Sequence, residues 1–219
     1  MADILTLSAD DGLDALRSHL VYSKVRLARG EATRAFVAPF DELIARWGAI
    51  HAGQLAAWDA EDEADAHVAA VDGDLDDRTT EFVADLARIL GKDHPTYQRY
   101  LGGDTRSAIV RMGLATQLAR LADWPASIRG MVAGLAVHAE PFQALVTEGQ
   151  AALAARVSAA SSRADFRVRA LYEYVDDVNA VRRSTYGALV QHAAESRLPS
   201  DWAGRFFRKS RRRPRAPAE

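Results

Sequence analysis

The sequence predicts an all-α fold, an antiparallel helical bundle built from two related three-helix units with a short aromatic and basic C-terminal tail. Three observations predict it. Alanine is frequent, while the 219 residues include only 14 glycines and 7 prolines; alanine loses no side-chain entropy in a helix. Apolar residues recur three and four apart, as on one face of a helix, and no alternating run between turn signals argues for strand. The chain also repeats itself. Pro39-Phe40 and Leu43 return as Pro141-Phe142 and Leu145, and Ala64-Asp65 returns as Ala164-Asp165. Val68, Val71 and Leu75 return as Val168, Leu171 and Val175, and Asp76-Asp77 as Asp176-Asp177.

A first helix is expected from Ser8, an approximate capping box with Asp11, along Leu13, Leu16, Leu20 and Leu27. Gly30 permits a break and Thr33 is a candidate cap for the next helix. That second helix is expected to run to about Trp58, with Phe36, Phe40, Leu43, Ile44, Trp47 and Leu55 inward and Pro39 in a first turn or at a kink. The third has the clearest seam: Ala64, Val68, Val71, Leu75, Phe82, Leu86 and Ile89. Its 3-4 spacing is that of coiled-coil and bundle packing.

Pro95 and Gly102-Gly103 argue for a loop over 91–103. Asp104 is the expected cap of a fourth helix through Ile109, Leu114, Leu118 and Leu121, ending near Trp124-Pro125. A fifth is expected over 127–160, bent at Pro141. A sixth is expected over 163–197, with Ala164, Val168, Leu171, Val175, Val178, Thr185 and Leu189 inward. This reads as one helical-bundle domain over 1–203, the repeat covering 8–91 and 104–198. One compact assembly is favoured over two separate three-helix cores, which would each bury less surface. A basic tail over 204–219 is expected to be disordered.

Composition excludes several classes. With no cysteine there is no disulfide framework, thiol nucleophile or thiolate-ligated metal. The start lacks the basic and apolar pattern of a signal peptide, and no apolar run approaches the roughly 20 residues of a membrane span. These features point to the cytoplasm. The net charge of -2 hides two poles. Asp59–Asp77 has nine acidic residues and no lysine or arginine, whereas Gly204–Glu219 has seven basic residues and one acidic.

Candidate sites are sparse. Asp65, Asp72 and Asp76 are seven and four apart and line one side of a helix; Glu173, Asp176 and Asp177 echo them. Carboxylates converging from two helices could hold a hard divalent cation, although a solvated charged face is the commoner meaning of such runs. No Glu-x-x-His, His-Glu-x-x-His, phosphate loop or Gly-x-Ser-x-Gly motif occurs. Arg182 sits at a seam position, where a charge must be paired or reach solvent. A polar network of Asp176, Asn179, Arg182 and Arg78 is expected to fix bundle register, with an anion-binding notch as the functional alternative.

Asp72-x-x-x-Asp76 and Glu173-x-x-x-Asp177, in two three-helix units, resemble the PhoU family of phosphate-signalling proteins. The resemblance implies acidic metal motifs on two helical repeats and action alongside phosphate transporters and sensor kinases.

The tail offers contact residues: Trp202, Phe206, Phe207, Arg208, Lys209, Arg211, Arg212 and Arg213. Aromatic and arginine side chains anchor interfaces. Arginines also neutralise nucleic-acid phosphates or anionic lipid headgroups. The expectation is a noncatalytic scaffold, adaptor or regulator that binds another protein or itself, needing no cofactor. A metal-binding regulator, and nucleic-acid or anionic-membrane association through the tail, are the alternatives.

Overall fold

The computed structural model describes residues 4–209. Every regular element among them is helical. No helix among them is long and apolar enough to cross a membrane. The chain divides into two compact units, one of residues 1–56 and 164–219 and the other of Ala57–Arg163.

The first unit begins with an extended segment. Ser8 forms the expected capping box: its backbone N–H donates to Asp11 Oδ2 at 2.7 Å and its hydroxyl accepts from Asp10 N. The box opens a 3-10 turn, Ala9–Asp11, and α1 (Leu13–Ala28) starts only beyond Gly12. Leu13, Leu16, Leu20 and Leu27 are buried as their spacing predicts. Thr33 stands at the N-cap position of a 3-10 turn, Arg34–Phe36, that precedes the next helix, but its side chain makes no cap bond there. Its buried hydroxyl donates back to the Leu27 carbonyl at 2.6 Å, satisfying the end of α1. A Cβ on Gly30 would lie 2.8 Å from that hydroxyl and would push it off the Leu27 carbonyl.

The largest departure from expectation is α2 (Ala38–Leu90), one continuous helix of 53 residues where two were expected. Asp59-Ala-Glu-Asp-Glu63 has neither glycine nor proline to stop it, and Gly48, Gly53 and Gly73 each cost only about 1 kcal/mol. Pro39 falls at its second residue, where no backbone N–H is required. The helix passes from the first unit into the second at Ala56–Ala57.

In the second unit, the expected loop over 91–103 contains α3 (Pro95–Leu101), capped by His94 Nδ1 and closed by left-handed Gly102 at φ 60°. Thr105, not Asp104, caps α4 (Arg106–Val110). Two short helices come next, α5 (Leu114–Leu121) and α6 (Trp124–Arg129). The expected fifth helix is divided, because α7 (Ala133–Ala136) precedes α8 (Ala139–Phe166). Pro141 thus lies in a first turn and makes no bend. Glu61–Arg163, Asp65–Arg156 and His67–Glu148 pair in descending order, so α2 and α8 run antiparallel here.

The core of this unit centres on Phe82, which meets Tyr100, Trp124, His138 and Phe142 with ring centroids 5.1–5.7 Å apart. These are the edge-on and tilted geometries aromatic quadrupoles favour.

No loop separates the expected fifth and sixth helices. The chain returns to the first unit at Ala164, near the end of α8, and a π turn, Arg167–Leu171, then joins α8 to α9 (Tyr172–Glu195). There Arg46 lies over the Tyr174 ring and Gly53 faces Phe166, so the run from the end of α8 into α9 is antiparallel to the first part of α2. Val175, Val178, Thr185 and Leu189 are buried. Val168, expected inward, is 61% exposed because it sits in the π turn, where helical phase shifts. Leu55, also expected inward, is exposed. A final 3-10 turn, Ala203–Phe206, packs on this unit.

Candidate docking groove

The proposed metal ligands do not form one cluster. Asp65, Asp72 and Asp76 belong to the second unit, and Glu173, Asp176 and Asp177 to the first. Asp65 lies 4.0 Å from Arg156, and Asp76 accepts from Gln117 Nε2 at 2.9 Å. Burial raises the Asp76 pKa above the ordinary carboxylate value. Asp177 pairs with Arg46 at 2.8 Å, while Glu173 and Asp176 are exposed. Among the described residues no group of three or more histidine, aspartate or glutamate side chains converges as a metal site.

The polar network on α9 differs from the expected one. Arg182 is 1% exposed. Its Nη1 donates to the Leu5 carbonyl at 2.8 Å and its guanidinium lies 5.8 Å from the centre of the Phe207 ring. Asn179 bonds the Leu7 backbone in both directions. The network therefore fastens the N-terminal segment to α9. Arg78 pairs with Glu81 in the second unit and takes no part. Burial lowers the Arg182 pKa to about 10, and Nε and Nη2 have no hydrogen-bond partner among the described residues.

A second polar pair, of buried His138 with half-buried Asp85, lies in the other unit. His138 Nε2 is 3.0 Å from Asp85 Oδ2. Asp85 also accepts from Arg88, and these bonds, that of Arg88 first, hold its carboxyl below the usual range. The pair joins the start of α8 to α2.

The C-terminal aromatics divide between core and surface. Phe207 is 4% exposed and meets Tyr186 edge-on at 5.8 Å, so it belongs to the core of the first unit. Trp202 and Phe206 are half-buried and meet at 4.8 Å. Arg208 bonds Ser18 and Lys209 is exposed. Arg211, Arg212 and Arg213 lie outside the described residues, as does most of the tail expected to be disordered.

Trp202 and Phe206 form one wall of a groove of about 420 Å³. Arg26 and Arg29, at the end of α1, the Gly30–Thr33 turn and Arg205 line the rest of it. Arg26 donates to the Arg205 carbonyl at 3.1 Å, which ties α1 to the C-terminal turn. Arg205 is held by both oxygens of Asp201. Arg29 makes no ion pair among the described residues, and Glu31 is the one acidic residue in the lining. The result is an apolar wall edged by three guanidinium groups.

Sequence reasoning singled out Trp202 and Phe206 but missed Arg26 and Arg29. Arginines in a last helical turn are expected anyway, because they complement the helix dipole. The signal available was their spacing of three, which puts both on one face.

No protein-family model, curated protein or solved structure matches the chain. The likeness to the PhoU family therefore rests on the two acidic motifs alone.

Proposed function

We propose that this protein is a noncatalytic helical interaction module, and that the groove beside Trp202 and Phe206 docks an acidic segment of a protein partner. The observation that carries this reading is the set of Arg26, Arg29 and Arg205 around a half-buried aromatic wall. Arginine supplies several fixed donors suited to carboxylates, and aromatics supply contact area at small entropic cost. Arg208 and Lys209, followed in sequence by Arg211, Arg212 and Arg213, extend the positive charge. The cysteine-free composition fits the cytoplasm, where we place the protein.

We also read the helical runs 38–90 and 139–195 as corresponding elements of an internal repeat. Pro39 and Pro141 both lie in first turns, which supports that reading.

The docking proposal is tested by fluorescence anisotropy with a labelled aspartate- and glutamate-rich peptide and a lysine-rich control. Saturable binding of the acidic peptide alone, weakened by R26E/R29E, is the expected result. Equal binding to the wild type and R26E/R29E would remove the groove as the docking surface.

A further inference from the structure

The second unit contains a surface complementary to the groove. Asp59, Asp62, Glu63, Asp74 and Asp77 on α2 are all exposed. Among the described residues their carboxylates make no ion pair or hydrogen bond, whereas Glu61, Asp65 and Asp76 are engaged by Arg163, Arg156 and Gln117. The reason is helical phase. At about 100° per residue the five free carboxylates fall within an arc of roughly 120°. The exposed Ala66, Ala70 and Gly73 share that arc and keep the space between the two acidic groups low. Because α2 is unbroken, the face is one continuous ridge about 27 Å long. An unbroken helix presenting carboxylates on one side is a suitable partner for a guanidinium-edged groove.

We propose that the occupant of the groove is this acidic face of α2 in a second copy of the chain. The inference rests on the docking function proposed above and names its partner. Arg26, Arg29 and Arg205 of one copy receive carboxylates from the ridge of the other, and the small residues let the helix approach the Trp202–Phe206 wall. The two surfaces differ, so the contact is heterologous unless two copies exchange it reciprocally. Its charge makes it salt-sensitive, since screening acts over about 10 Å at 0.1 M salt.

The test is sedimentation of the full chain across concentration and salt. Two variants are compared, R26E/R29E and D62K/E63K/D74K/D77K, with circular dichroism confirming that each is folded. The wild type is expected to associate reversibly and to dissociate on raising salt. Each variant alone is expected to weaken association about tenfold or more, and mixing the two to restore it, because the reversed charges are again complementary. A wild type that stays monomeric throughout would overturn self-association, and continued binding of an acidic peptide to that monomer would leave the docking function standing. Association unaffected by either variant, no recovery on mixing, or association only on added duplex DNA would overturn the proposal.

Discussion

Asn179 exchanges two hydrogen bonds with the backbone of Leu7: the Leu7 N–H donates to Oδ1 at 2.9 Å, and Nδ2 donates to the Leu7 carbonyl at 2.8 Å. The residues are 172 positions apart in sequence. One side chain on α9 thus replaces the pairing a neighbouring strand would give an extended segment. Asn179→Ala leaves two buried backbone groups unsatisfied and is expected to cost about 2–4 kcal/mol. Asn179→Asp keeps the acceptor but turns a carboxylate oxygen toward the Leu7 carbonyl and buries a charge, so it should cost at least as much. Urea denaturation midpoints give the comparison. A loss below about 0.5 kcal/mol in the alanine variant would mean that water replaces both bonds.

Arg182 behaves differently, although it lies one turn further along the same helix. It is buried without an ion pair among the described residues, and Leu5, whose carbonyl it contacts, is 42% exposed. That carbonyl has water as an alternative donor. Replacing a buried charge with an apolar side chain of similar length is often neutral or stabilising. Arg182→Met is therefore expected to keep stability within about 1 kcal/mol of the wild type or to raise it, and Arg182→Glu to lower it sharply. Thermal melts distinguish these outcomes. A methionine variant as damaged as Asn179→Ala would show that the charge itself is needed.

His19 links this region to pH. Burial, then the positive charges of Arg182 and Arg208, lower its pKa from 6.5, with Asp11 opposing them. Below pH 6.5 the unfolded chain therefore holds more protons at this site than the folded one. Its contribution to stability is complete above 6.5 and declines as pH falls toward the folded-state pKa. His19→Gln should flatten the pH dependence of unfolding in that acidic window and leave it unchanged between pH 7 and 8. Parallel curves for variant and wild type would contradict the assignment.

Two glycines in long helices should respond oppositely to alanine. A Cβ on Gly149 would lie 2.9 Å and 3.0 Å from the two methyl carbons of buried Leu118, whereas one on Gly73 meets nothing within 4 Å. Gly149→Ala is expected to destabilise by about 1–3 kcal/mol through overpacking, partly offset by helix propensity. Gly73→Ala is expected to stabilise by about 0.5–1 kcal/mol. Guanidinium denaturation of the two variants checks the pair.

The helical class was legible because it follows from composition and from spacings within single turns. Leu13, Leu16, Leu20 and Leu27 were identified as buried from their own segment alone. The continuity of α2 was harder to read, because an acidic run resembles a linker unless it is checked for the glycine or proline that would end a helix. Arg182 and Asn179 stood out as polar residues on an apolar seam. Their partners at Leu5 and Leu7 did not, because backbone groups carry no sequence signal. Phe207 looked like a surface anchor because it adjoins basic residues, yet it closes the core beside Tyr186. The groove joins α1 to a turn near residue 205, and no local pattern connects those segments.

The docking claim is tested most directly by arginine side-chain NMR of the full chain during titration with the acidic peptide. The Nε–H signals of Arg26, Arg29 and Arg205 should shift together and saturate at one peptide concentration. Those of Arg88, Arg129 and Arg156, in the second unit, should stay in place. Uniform movement of all these arginines would mean diffuse charge attraction, and an unmoved Arg26–Arg29–Arg205 set would contradict docking in the groove.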